Sequence, residues 1–122
     1  MVLQVLFQED LNPEHDLHAA DEFLRERLQQ DPRLVEFALE LLHGTRRRRP
    51  ELDALLGAQS QNWSLSRMAA TDRNVLRLAA FELSHTDTPD RIVIDEAVQL
   101  AKRFGSQQSA SFVNGILDGL LP

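Results

Sequence analysis

The stretch from Thr71 to His85 limits the fold of this chain more than any other. Laid on a helix, Val75, Leu76, Ala79, Ala80 and Leu83 form one apolar stripe, and Leu78 and Phe81 carry apolar cover to another side. Arg73, Arg77 and Ser84 are left as a narrow polar strip. A helix apolar nearly all round has to be buried, so the rest of the chain must wrap it. Thr71 is placed to be its N-cap.

The remainder supplies the wrapping as helices. Apolar residues recur at three- and four-residue spacing, and no alternating segment is long enough for a useful strand. The pattern predicts seven helices. The first spans about Val2 to Asp10 and stops before Asn12-Pro13, because proline disfavours a helical residue ahead of it. The second runs from about His18 to Gln30. Asp31-Pro32 then reads as an N-cap followed by proline at the first helical position. It opens a third helix with Leu34, Val35, Ala38, Leu39 and Leu42 on one stripe, ending at Gly44.

Thr45 is the expected cap of a fourth helix, with Leu52, Leu55 and Leu56 inward. A connector from Asn62 to Ala70 offers Trp63 and Met68 as packing anchors. After the central fifth helix, the sixth covers about Ile92 to Phe104. It points Val93, Ala97, Leu100, Ala101 and Phe104 inward, and Asp95, Glu96, Gln99, Lys102 and Arg103 outward. Gly105 ends it and Ser106 caps the seventh, where Val113, Ile116, Leu117 and Leu120 share a face. Gly115 and Gly119 lie on one side of that helix with Phe112. Because glycine lowers helix stability, their pairing points to a close backbone approach. With 122 residues, 43% of them hydrophobic, one all-α domain over residues 1–122 can bury its own core.

The chemistry offered is that of binding. Cysteine is absent, which removes thiolate metal sites and cysteine nucleophiles. The four histidines, His15, His18, His43 and His85, are scattered; His15 and His18 can share a helix face, but no third ligand is placed beside them. Asp95 and Glu96 occupy adjacent helix positions, which diverge. There is no Walker loop, GxSxG or Rossmann glycine pattern. No enzymatic activity, metal or cofactor is expected. No apolar run approaches the ~18 residues of a membrane span, and the opening MVLQVLFQED lacks a basic signal-peptide region, so a cytoplasmic protein is expected.

The formal net charge of −6 disfavours general electrostatic binding of nucleic acid. Any basic site must be local. The run Arg46-Arg47-Arg48-Arg49 is one candidate: either a solvated helix start, where positive charge opposes the helix dipole, or a grip for phosphate. Phe112 likewise stays open between a core aromatic and a ring that stacks an unpaired RNA base.

The order of residues goes further than their periodicity. NWSLSRMAATDRNVLRLAAFEL (62–83) and VIDEAVQLAKRFGSQQSASFVNGILDGLL, with the opening LQVLFQEDL, closely resemble the NusB family of bacterial transcription antitermination factors. The most specific strings are DRNVLRLA, DEAVQLAKRFG and FVNGILD, and the likeness spans nearly the whole chain in order. It implies a non-enzymatic, all-helical fold of two subbundles. It further implies binding to the boxA element of ribosomal RNA transcripts with a small-subunit ribosomal protein (NusE), within the RNA polymerase antitermination complex and in support of ribosomal RNA maturation. Carried over by motif position, the RNA contacts fall on Gln4 and Phe7, on Lys102, and on Gln108 and Phe112. Arg46 and Arg47 are added from the arginine run. Asp72 and Glu82 are the expected partner-facing residues.

One departure weakens the expected RNA grip. Family members carry arginines ahead of the first helix, whereas here the first Lys or Arg is Arg25. Loss of those charges lowers RNA affinity unless Arg46 to Arg49 substitute or the true start lies upstream. An alternative function is a self-associating interaction module with weak autonomous RNA binding, since some NusB relatives self-associate. A third possibility, the NusB-like domain that precedes an RNA methyltransferase, finds no cofactor loop in this chain.

Overall fold

The computed structural model describes residues 2–11, 17–28, 31–60 and 64–121. Seven α-helices follow one another: α1 Val2–Leu11, α2 Leu17–Leu28, α3 Pro32–Arg47, α4 Arg49–Gln59, α5 Ala70–His85, α6 Asp90–Phe104 and α7 Ser109–Leu120. A short 3-10 turn, Leu65–Arg67, leads into α5, and no strand occurs among the described residues. Among those residues no helix is long and apolar enough to cross a membrane. The expected proline stop at Asn12-Pro13, the end at Gln30, the anchor Trp63 and the pairing of His15 with His18 lie outside what is described.

As the sequence predicts, α5 is the hub. It packs against α1 and α3 on one side and against α4, α6 and α7 on the other, while α2 lies on α3. The two groups make the two-subbundle architecture. Leu42, Leu56, Leu76 and Leu117 are fully buried where helices meet, and each contributes about 1.5–3 kcal/mol by leaving water. Met68 is buried as the anchor of its connector. His43 Nε2 stands 2.9 Å from Asp21 Oδ2 and joins α3 to α2.

Asp31 caps α3 as expected, its Oδ1 accepting from the backbone N–H groups of Arg33 at 3.0 Å and Leu34 at 3.4 Å. Other expected boundaries shift. α3 does not end at Gly44 but runs on to Arg47. Gly44 is small because the Phe81 ring of α5 fills the space its Cβ would need. Thr45 is buried inside α3, and α4 is preceded instead by Arg48, with Pro50 in its first turn. Thr71 is the second residue of α5, whose N-cap is Ala69. α7 starts after Gln108 rather than Ser106; Ser109 is buried, and its Oγ accepts from the Ser106 N–H at 2.9 Å. Leu34 and Leu55, expected inward, are 50% and 40% exposed. Phe104 also turns outward, at 41% exposure.

Candidate nucleic-acid interface

Helix α1 has two unlike sides. Val2, Leu3, Val5 and Leu6 are buried against the bundle. Gln4, Phe7 and Gln8 stand on the opposite row at spacings of three and four, which brings side chains together on one helix face; Gln4 and Gln8 are exposed and Phe7 is half-buried.

The two carboxylates at the end of α1 are drawn into a cationic cluster. Arg46 of α3 donates to Glu9 from both Nε and Nη2. Asp10, whose side chain is 6% exposed, accepts from Arg73 Nε at 2.8 Å and Asn74 Nδ2 at 2.9 Å, and from Arg49 Nη2 at 3.3 Å. Arg77 Nη1 lies 3.6 Å away, while Arg77 Nε donates to Asp53 Oδ1 of α4 at 2.7 Å. Burial raises the Asp10 carboxyl. The hydrogen bonds from Arg73 and Asn74 and the charges of Arg73 and Arg77 outweigh it, holding Asp10 below the ordinary 3.8. The polar strip of α5 is therefore an internal ion-pair seam. Arg46, Arg48 and Arg49 are likewise engaged with carboxylates, whereas Arg47 is exposed and has no carboxylate partner among the described residues.

A groove of about 750 Å³ runs along the outer face of α1. Gln4, Phe7 and Gln8 line one wall, and Ala19, Phe23 and Arg27 of α2 line the other, again one helical row. Phe104 and Thr71 close its end. The Arg27 guanidinium lies 5.1 Å from the Phe23 ring centroid, and the Arg103 guanidinium 5.1 Å from that of Phe104, both within cation–π range. Lys102 is exposed in the last turn of α6, two residues before Phe104.

Gln108 is exposed at the start of α7. Phe112, one turn on, is half-buried and packs on the core, so it keeps an accessible part. Gly115 faces open space, whereas Gly119 admits the side chain of Gln59 from α4; the expected close approach holds for the second glycine only. Neither Gln108 nor Phe112 lines the α1–α2 groove.

Asp72 and Glu82 are both on α5, at 9% and 7% exposure. Asp72 Oδ1 is buried without a hydrogen-bond partner among the described residues. Burial, reinforced by the negative charge of Glu96, pushes the Glu82 carboxyl up to about 7. Two carboxyl groups on the central helix thus lack a cation among the described residues.

Gln4, Phe7 and the end of α6 are gathered around one groove, Gln108 and Phe112 sit together on α7, and Arg46 is turned inward. Sequence reasoning missed Phe23 and Arg27. Their spacing of four was visible, but nothing local showed that the row faces α1.

A model of the NusB family matches residues 1–122 of the chain. The transcription antitermination protein NusB of Myxococcus xanthus (strain DK1622) is 43% identical over 120 residues, covering 95% of this chain and 86% of that protein. A structure of T. maritima NusB superposes with a TM-score of 0.86 at 38% identity, over 98% of this chain and 84% of that one. A chain in the crystal structure of antitermination factors NusB and NusE in complex with dsRNA gives a TM-score of 0.86 at 26% identity, over 98% of this chain and 89% of its own.

Proposed function

The chain belongs to the NusB family, and from that premise we propose that it is a transcription antitermination factor of ribosomal RNA operons. It acts by binding, without catalysis, as one helical domain in the cytoplasm. Its RNA is the boxA-type single strand, and its partner is a small-subunit ribosomal protein, NusE, within the RNA polymerase antitermination complex. The observation that carries this is the family match along the whole of residues 1–122.

The RNA contacts fall to Gln4 and Phe7 on α1, Lys102 on α6, and Gln108 and Phe112 on α7. An aromatic ring stacks an unpaired base without regard to its identity, and the exposed amides of Gln4 and Gln8 can both donate and accept at base edges. Arg47 is free to meet phosphate. Arg46 acts through Glu9, fixing the end of α1. Asp72 and Glu82 form the partner side: cations from a basic ribosomal protein would bring counter-charge beside Asp72 and relieve the repulsion between Glu82 and Glu96.

A titration of the full chain against boxA and scrambled single-stranded RNA, with and without the ribosomal protein, tests this. Weak preference for boxA alone, strengthened by the protein, is expected. No discrimination with both components present would overturn it. The second reading, a self-associating module, is favoured by one feature: Leu34 and Phe37, three positions apart on α3, are 50% and 40% exposed. Light scattering that finds a dimer, joined with RNA binding unchanged in Phe112→Ala, would establish that reading instead.

A further inference from the structure

We infer that the groove between α1 and α2 receives a single unstacked nucleobase of the bound RNA, with Phe23 and Arg27 as its specificity wall. This rests on the RNA-binding reading above and adds to it a helix, α2, that carries no expected contact.

The groove has room to spare for that occupant together with its sugar, and its chemistry suits a base. About 750 Å³ lies within the ~300–1,000 Å³ typical of small-ligand clefts. Phe7, Phe23 and Phe104 all line it. The ring-on-ring contact found among the described residues is Phe81 with His85, so the three groove rings do not stack on one another; the guanidiniums of Arg27 and Arg103 lie over Phe23 and Phe104, where each can close over a base edge as well as a ring. Neither Gln4 nor Gln8 has a hydrogen-bond partner within the described fold, which leaves both amides for the edge of a base.

Charge favours a nucleic acid over a cationic peptide. The last turn of α2 carries Arg25 and Arg27, and that of α6 carries Lys102 and Arg103, in a chain with a net charge of −6. The carboxylates of α1 are turned away and held by arginines. Glu22 and Glu26 stand on the neighbouring row of α2, outside the groove lining. An anionic backbone can therefore pass between two basic helix ends while one base turns inward.

The test walks an abasic site through the boxA-type single strand and measures binding to the wild-type chain and to Phe23→Leu/Arg27→Ala. In the wild type one position should lose roughly tenfold in affinity, in line with base–aromatic stacking. The double variant should bind intact RNA roughly tenfold more weakly and no longer respond to that position. Arg27→Ala alone, at an exposed residue, keeps the test intact where Phe23→Leu disturbs packing; it should weaken binding severalfold and shrink the same abasic penalty. Equal affinities for intact RNA, or identical abasic penalties in both proteins, would overturn the proposal while leaving RNA binding standing. A loss confined to ribosomal-protein binding would overturn it in favour of a peptide. A wild type that fails to tell boxA from scrambled RNA removes the broader reading, and this one with it.

Discussion

Arg73 donates from Nε to Oδ2 of Asp10 at 2.8 Å, tying the first turn of α5 to the last turn of α1. Since Asp10 also receives Asn74 and Arg49, a single carboxylate fastens three helices. Removing one partner of a buried pair strands the charge of the other and typically costs about 3–5 kcal/mol. Asp10→Ala should lose stability on that scale in chemical denaturation. The carboxyl is held below its ordinary value in the fold, so its contribution is complete above the unfolded value of 3.8 and is lost as pH falls through the lower, folded one. The acid limb of the wild-type stability curve should flatten in the variant.

Glu82 works in the opposite direction. Its folded value of about 7 against 4.5 unfolded means the native state holds the proton more tightly. Between those values stability falls as pH rises, and above about 7 the penalty is complete. Glu82→Gln should remove that slope and gain on the order of 2 kcal/mol at pH 8. Melts across pH 4 to 9 would show it; parallel curves for the two proteins would contradict it.

Two glycines should respond oppositely to alanine. At Gly44 the new Cβ meets the buried Phe81 ring. Overpacking costs about 1–3 kcal/mol, which exceeds the ~1 kcal/mol helix gain because the buried ring has nowhere to move. At Gly115 the Cβ meets nothing within 4 Å, so only the gain remains. Thermal melts should place Gly44→Ala below and Gly115→Ala above the wild type.

The cations should divide into structural and RNA-facing groups. Arg46→Ala breaks the partly buried Glu9 pair and should lower the melting temperature. Arg47→Ala and Lys102→Ala, at exposed positions, should leave the melt unchanged. Each should lower RNA affinity at all sequences and reduce the salt slope by roughly one. Salt titrations of the three variants separate the groups.

The helical order, the buried α5 and the inward faces of α6 and α7 were legible because they follow from periodicity within each segment. Helix ends were less so. Gly44 and Thr45 carry the local signature of a stop and a cap, yet contact with Phe81, distant in sequence, continues the helix through both. Arg73 and Arg77 announced themselves as a polar strip on an apolar helix, which demands partners. That the partners are Asp10 and Asp53 depends on tertiary packing and leaves no local trace. Phe104 fits the inward stripe by spacing, but it stands in the last turn of α6, where the neighbour is a groove and not a helix.

The Asp10 junction also sets an order of events during synthesis. α1 leaves the ribosome well before its partners, whose fastenings lie 39 residues later at Arg49 and 63 later at Arg73. At about 5–20 residues per second of translation, α1 waits for seconds with its apolar side uncovered, and the wall it gives to the groove is fixed only once α5 has emerged. Helix α1 thus completes a surface only after α5 exists, and a nascent chain halted before Arg73 lacks the finished α1 face on which RNA contact is proposed.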